Sequence, residues 1–243
     1  NSATVEEDLK GVETIYSTNK AFAAIMSDGS VVTWGDAHSG GNSRRVQDKL
    51  EGVETIYSTG RGAFAALLSN GKVVTWGDAV YGGDSSSVKE ELKDVATIYS
   101  NRGAFAALKS DGSVVTWGNT TYGGHSKNVQ DKLKGVKSIY SNRYSFAALM
   151  SDRSIVTWGF RDFGGDSSRV QGDLKKGVVK TIYSTDHAFA AVKLNGSVFT
   201  WGDAGWGGNT DIVREELKMG VKTIYSNKNA FAALMLDGSV VTW

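Results

Sequence analysis

The 243-residue sequence contains no cysteine and no proline. Without cysteine there is no disulfide framework, no thiolate metal site and no cysteine nucleophile, and the redox compartment is left undetermined. Without proline, turns must be set by the 30 glycines together with Asn, Asp and Ser. Formal net charge is only +1, so no global field draws the chain toward nucleic acid or an acidic membrane, and any such attraction has to be local. No apolar run reaches the length that spans a bilayer, and the opening NSATVEEDLK has neither the basic nor the apolar region of a signal peptide. Localisation stays open.

What the chain does have is a repeat. The Trp of a VVTW segment recurs at Trp34, Trp76, Trp117, Trp158, Trp201 and Trp243, with spacings of 42, 41, 41, 43 and 42 residues. A near-constant period in the forties marks a propeller or a helical-repeat array. Six repeats of 41 residues, with four single-residue insertions and one seven-residue GDAxxGG loop left out, account for the 243 residues. The expectation is one domain over 1–243, a ring of six blades opened inside one such loop. A longer array cut short is the alternative. Closure would place Asn1 within the reach of a seven-residue loop from Trp243, at most about 25 Å.

Each unit reads as three strands: VETIYS at 12–17, AFAAIM at 21–26 and SVVTW at 30–34 in the first. Asp-Gly or Asn-Gly joins the second and third in five units, which predicts a type I′ hairpin with positive φ at both central residues. The fourth unit has Asp152-Arg153 instead, where an arginine should cost about 1 kcal/mol or force another turn. After each Gly-Gly, Val and Leu stand four apart, as in Val46 and Leu50, which predicts about two turns of helix over the blade's outer edge. A short fourth strand is the competing reading. The fold class is all-β, a propeller of six blades from 41–43-residue repeats.

The pattern AFAAxxSDGSVVTWGDAxYGG resembles the repeat of the regulator-of-chromosome-condensation family, in the DG turn, the Val-x-x-Trp-Gly strand end and the aromatic before Gly-Gly. The resemblance covers all six units and implies a β-propeller. It departs where Gly-Gly replaces the family's Gly-Gln-Leu-Gly, where Ala or Ser replaces a histidine before the second strand, and in having six units where the family typically has seven.

Candidates for function follow from the loops. One basic residue per unit precedes the second strand: Lys20, Arg61, Arg102, Arg143, His187 and Lys228. Equivalent positions in a propeller fall on one circle, so these would form a docking ring for an acidic protein surface, a glycan or phosphates. The same residues also suit solvated turns. The aromatics before Gly-Gly, Tyr81, Tyr122, Phe163 and Trp206, read as a stacking platform or as plugs between blades, and Ser39 breaks the series. The repeated Trp reads as core between blades.

Asp36, Asp78, Asp203, Asp84 and Asp166 match no calcium-loop spacing and read as turn formers, so no metal and no cofactor is implied. His38, His125 and His187 stand in unrelated contexts, and no phosphate-binding glycine loop is present. The first functional reading is a non-enzymatic scaffold for a protein partner. A polyanion binder comes second, and a hydrolase or lyase with a site at the central axis third.

Overall fold

The computed structural model describes residues 9–243. The reach from Asn1 to Trp243, and the expected role of the opening segment in completing the last blade, lie outside the described residues. Two compact units are formed, Asn1–His125 and Ser126–Trp243. The first holds β1 (Val12–Ser17), β2 (Ala21–Met26), β3 (Val31–Gly35), β4 (Val53–Thr59), β5 (Ala63–Leu68), β6 (Val73–Gly77), β7 (Val95–Ser100), β8 (Ala104–Lys109) and β9 (Val114–Gly118). The second holds β10 (Val136–Ser141), β11 (Ser145–Met150), β12 (Ile155–Gly159), β13 (Val179–Ser184), β14 (Ala188–Lys193), β15 (Val198–Gly202), β16 (Val221–Ser226), β17 (Phe231–Met235) and β18 (Val240–Thr242). Every three consecutive strands make one antiparallel sheet, and the six sheets are the blades of a β-propeller.

The middle strand encodes how blades stack. Its residues alternate between faces, so Ala21, Ala23 and Ile25 point one way and are met by Phe64, Ala66 and Leu68 of the next sheet. Likewise Ala63, Ala65 and Leu67 meet Phe105 and Ala107, and Ala188, Ala190 and Val192 meet Phe231 and Ala233. Small side chains on one face leave room for the phenylalanine on the other, and Phe64, Phe105 and Phe189 are fully buried. Burying such a ring contributes roughly 1.5–3 kcal/mol.

The first strands of neighbouring sheets also touch. Within the first unit the Tyr16 and Thr55 hydroxyls lie 3.2 Å apart, as do those of Tyr57 and Thr97. Within the second, Tyr140 lies 3.3 Å from Thr181 and Tyr183 lies 3.0 Å from Thr223. The Thr-Ile-Tyr-Ser motif, Ser-Ile-Tyr-Ser in the fourth blade, therefore supplies one half of a rung to each neighbour.

The repeated tryptophan is core at Trp76, Trp117, Trp158 and Trp201 and half-buried at Trp34 and Trp243. It stacks on the phenylalanine opposite in its own sheet, at 5.2 Å between centroids for Phe64 and Trp76 and 5.0 Å for Phe105 and Trp117. Its indole N–H donates to the first glycine carbonyl of the preceding loop: Trp76 to Gly40 at 3.0 Å, Trp117 to Gly82 and Trp201 to Gly164 at 3.1 Å.

Two local expectations are corrected. The hairpin at Asp28-Gly29 is not type I′, because no Asp or Asn before these glycines has positive φ. The Gly29 N–H donates to the Met26 carbonyl at 2.8 Å and the Met26 N–H to the Ser30 carbonyl at 2.9 Å. This is a type I turn followed by a left-handed bulge residue, with φ 80° at Gly29. Asp is favoured before the glycine because its carboxylate accepts the Ser30 N–H at 2.9 Å. Arg153 neither breaks nor changes this turn: it takes the glycine's place at φ 69°. Arg153→Gly is therefore expected to stabilise the chain by about 1 kcal/mol. A urea midpoint that stays put would show that the arginine is not strained.

The segment after Gly-Gly is helical in every unit that has one, reaching about two turns in the third and fourth (Lys127–Lys132, and Ser168–Val170 running into Gln171–Leu174) and a single turn in the others. The single turns are 3-10, at Gln47–Lys49, Ser86–Val88 and Glu216–Lys218. Among the described residues, only the fourth unit adds an α-helix, α1 (Gln171–Leu174). Two apolar residues four apart are enough to anchor one turn, and Leu50, Leu92, Leu174 and Leu217 are buried in the cores between sheets.

Candidate interaction face

The turn joining the first and second strands of each sheet lies against the loop leaving its third strand. The residue after Tyr-Ser, a Thr or an Asn, ties the two together in the first five units. The Thr18 hydroxyl donates to the Ser39 carbonyl at 3.1 Å and accepts the Ala21 N–H at 3.0 Å. The Asn101 and Asn142 amides donate to the Tyr122 and Phe163 carbonyls at 2.7 and 2.6 Å. Thr59 and Thr185 hold Tyr81 and Trp206 in the same way. Sequence reasoning did not single these residues out, although their recurrence after each Tyr-Ser is a signal that could have found them. In the first, second, third and fifth units the loop starts on an Asp or Asn whose side chain accepts a backbone N–H two or three residues on, as Asp36 from Ser39 and Asp78 from Val80.

Asp84 and Asp166 form turns in the same manner, and the backbone N–H groups of Ser86 and Ser168 hold their carboxylates below the usual range. Among the described residues, no three His, Cys, Asp or Glu side chains are placed to share a metal ion.

The six basic residues occupy two backbone positions, not one. The carbonyls of Lys20, Gly62, Gly103, Tyr144 and His187 accept the N–H of the residue that opens the loop, which fixes them as one set. The preceding position holds Asn19, Arg61, Arg102, Arg143, Asp186 and Lys228. Lys20 and His187 therefore stand one residue away from the four others. An acid, Asp186, takes the place of the base in the fifth unit.

Their charges are also partly engaged. Arg61 donates to the Tyr81 hydroxyl at 2.8 Å, and its guanidinium carbon lies 4.9 Å from the Tyr81 centroid and 5.6 Å from that of Tyr122. Arg143 pairs with Asp186 at 3.1 Å. Lys20 and Lys228 are exposed and Arg102 is half-buried.

The aromatics before Gly-Gly gather differently in the two units. In the first, Tyr81 and Tyr122 meet edge to face at 6.3 Å. Gly103 makes this possible, since a Cβ there would sit 2.9–3.0 Å from both rings. In the second unit the equivalent position is His187, whose imidazole is inserted between Phe163 at 4.3 Å and Trp206 at 4.0 Å. Phe160 extends the run at 4.7 Å from Phe163, and Tyr144 flanks it at 5.1 Å from both Phe163 and His187.

His187 Nδ1 is buried with no hydrogen-bond partner among the described residues. Burial holds this imidazole below its ordinary pKa, against the opposing pull of Asp186 and Asp203, so near neutral pH it adds no positive charge. Tyr144, Phe160 and Asp186 are members of this surface that the sequence did not point to. Phe160 stands where other units have Asp or Asn, and that departure is the one trace of it in the sequence.

Comparison with solved structures places this architecture. A chain in the crystal structure of Kap60 bound to yeast RCC1 (Prp20) matches over 98% of this chain and 71% of its own length, with a TM-score of 0.55 and 17% identity. The Saccharomyces cerevisiae Prp20p structure, whose description names binding to Gsp1p and histones, matches over 98% of this chain and 73% of its own, with a TM-score of 0.54 and 16% identity. Human WBSCR16 matches 92% of this chain and 72% of its own at a TM-score of 0.51 and 15% identity. The fold is that of an RCC1-like β-propeller. At these identities the likeness is one of fold. No protein-family model and no curated protein matches the sequence.

Proposed function

We propose that this RCC1-like propeller is a non-enzymatic interaction platform that engages a protein partner through the loop face of its blades. The observation that carries the reading is the half-exposed aromatic run of Phe160, Phe163, His187 and Trp206, flanked by Tyr144 and by the Arg143–Asp186 pair. Aromatic and arginine side chains held rigidly beside one another are what protein interfaces concentrate. The binding of Gsp1p and histones named for Prp20p supports a protein as the partner class. A polyanion is less well served: Arg61 is held by Tyr81, Arg143 by Asp186, and His187 is uncharged near neutral pH.

Replacing both Phe163 and Trp206 by Ala is expected to weaken a stoichiometric partner about 100-fold or more, at roughly 2 kcal/mol for each anchoring ring. Retention on heparin is expected to be weak at physiological salt and unchanged by R61A with R102A and R143A. Strong retention abolished by that triple change would favour the polyanion reading instead.

A further inference from the structure

The third strand of each sheet is an edge. In the first blade the Val31 carbonyl on that edge accepts a hydrogen bond from Gln47 Nε2 at 2.9 Å, and in the fourth the Ile155 carbonyl accepts one from Gln171 Nε2 at 3.0 Å. Both glutamines directly follow the anchoring Val of the short segment after Gly-Gly. In the fifth blade that place belongs to Arg214, and among the described residues no side chain closes the edge of β15.

The pairing register shows which groups are left. The Lys193 N–H donates to the Ser197 carbonyl at 2.9 Å, and Ala191 pairs with Phe199. In an antiparallel ladder the bonded pairs alternate, so Val198 and Thr200, opposite Val192 and Ala190, turn their peptide groups outward. A groove of ≈ 1030 Å³ runs along this strand, lined by Val198, Phe199 and Thr200 and by the segments that carry Arg169 and Arg214.

Asp162, Asp203 and Asp211 also line the groove, and most of its cations are already engaged. Arg161 pairs with Asp166, Lys176 with Asp173 and Lys218 with Glu215. Lys193 is buried and donates to the Asp173 and Lys176 carbonyls. Arg169 and Arg214 make no ion pair and no side-chain hydrogen bond among the described residues, and both are exposed. Phe199 and Trp201 pack toward the fourth blade, on the side of Arg169, whereas Val198 packs toward the sixth, on the side of Leu217. An added strand would thus present successive side chains alternately to the two arginines.

We propose that the outer edge of β15 is a binding site for an extended, acidic peptide segment of a partner protein, which adds as a fourth strand along Val198 and Thr200 with carboxylates against Arg169 and Arg214. The first and fourth blades supply the internal precedent, since their own glutamine amides already donate to the equivalent carbonyl. Backbone pairing provides the affinity and the two arginines the selectivity for acidic side chains.

The test starts from a random heptapeptide library selected on the whole chain. Enriched sequences are expected to carry Asp or Glu, and to protect the Val198 and Thr200 amides from hydrogen exchange when bound. R214A, which removes a charge and leaves the edge open, is expected to weaken binding several-fold. R214Q, which also supplies the amide that closes the edge in the first and fourth blades, is expected to weaken it by tenfold more. N-methylation of the peptide backbone is expected to abolish binding with every charge kept. The proposal is overturned if no sequence is enriched, if R214A and R214Q bind alike, or if N-methylated peptide binds undiminished.

Discussion

Gly82→Ala is expected to destabilise the first unit by about 2–5 kcal/mol, combining roughly 1–2 kcal/mol for a left-handed backbone with roughly 1–3 kcal/mol for overpacking. Gly82 has φ 108°, and a Cβ built on it would lie 2.6 Å from Phe105 Cδ2 and 2.7 Å from Cε2. Phe105 cannot yield, because it is fully buried between the stacked Trp117 ring and the Ala63–Ala65 face of the neighbouring sheet. The control is Gly29→Ala, where φ is 80° but no atom lies within 4 Å of the added carbon. That change should cost the backbone term alone, about 1 kcal/mol. Urea unfolding of the two variants separates strain from clash, and equal losses would refute the role given to Phe105. The same crowding explains why the loop carries Gly-Gly, since a Cβ on Gly83 would lie 2.4 Å from the Gly77 carbonyl oxygen.

Removing the tryptophan is expected to rank beside this. Trp117→Ala should cost about 3–5 kcal/mol, a large part of the roughly 5–15 kcal/mol by which domains are stable. The ring is almost wholly buried, stacks on Phe105 at 5.0 Å and donates to the Gly82 carbonyl at 3.1 Å. Trp117→Phe keeps an aromatic ring but removes the donor, leaving that buried carbonyl unsatisfied at about 1–3 kcal/mol. Calorimetry should order the variants as wild type, Phe, Ala. A tryptophan serving instead as a ligand cage would lose binding in both variants while stability held. The order of the two losses also reports how the packing and hydrogen-bonding parts of one contact divide.

The strands were legible because each carries its own marker: the β-branched run of VETIYS, the alternation of AFAA and the fixed Trp. Blade stacking was legible in part, since alternating Phe and Ala on a strand specify two faces of unlike relief. Turn type was not, because Asp-Gly serves a type I turn with a bulge as readily as type I′, and the choice rests on where Met26 and Ser30 pair. Helix length was overstated for three units, where the Val and Leu four apart, as at Val46 and Leu50, record only the two anchoring contacts.

The basic residues were misaligned for a different reason. Counting back from AF gives one base per unit, but Gly60 adds a residue and Gly62, Gly103 and Tyr144 fill the last place before the second strand. The spacing to the Phe of the second strand, two residues for Lys20 and His187 and three for the four others, already carries this split, and the backbone bonds to the loop fix it. The aromatic run around His187 was out of reach of any local reading. It joins residues from Tyr144 to Trp206, across one full repeat and half of another.

The rungs between Tyr and Thr, and the unlike faces of the middle strand, have a consequence for how such a chain can change over generations. Nearly every repeat carries both halves of a single joint: it offers Ala-x-Ala and a tyrosine hydroxyl on one side, and Phe-x-Ala and a threonine hydroxyl on the other, with Ser145 and Ser138 standing for Ala and Thr in the fourth. A copied repeat inserted between any two others finds both partners already made. Duplication then needs only a small change of angle at each joint, and the loops of each copy are left to diverge.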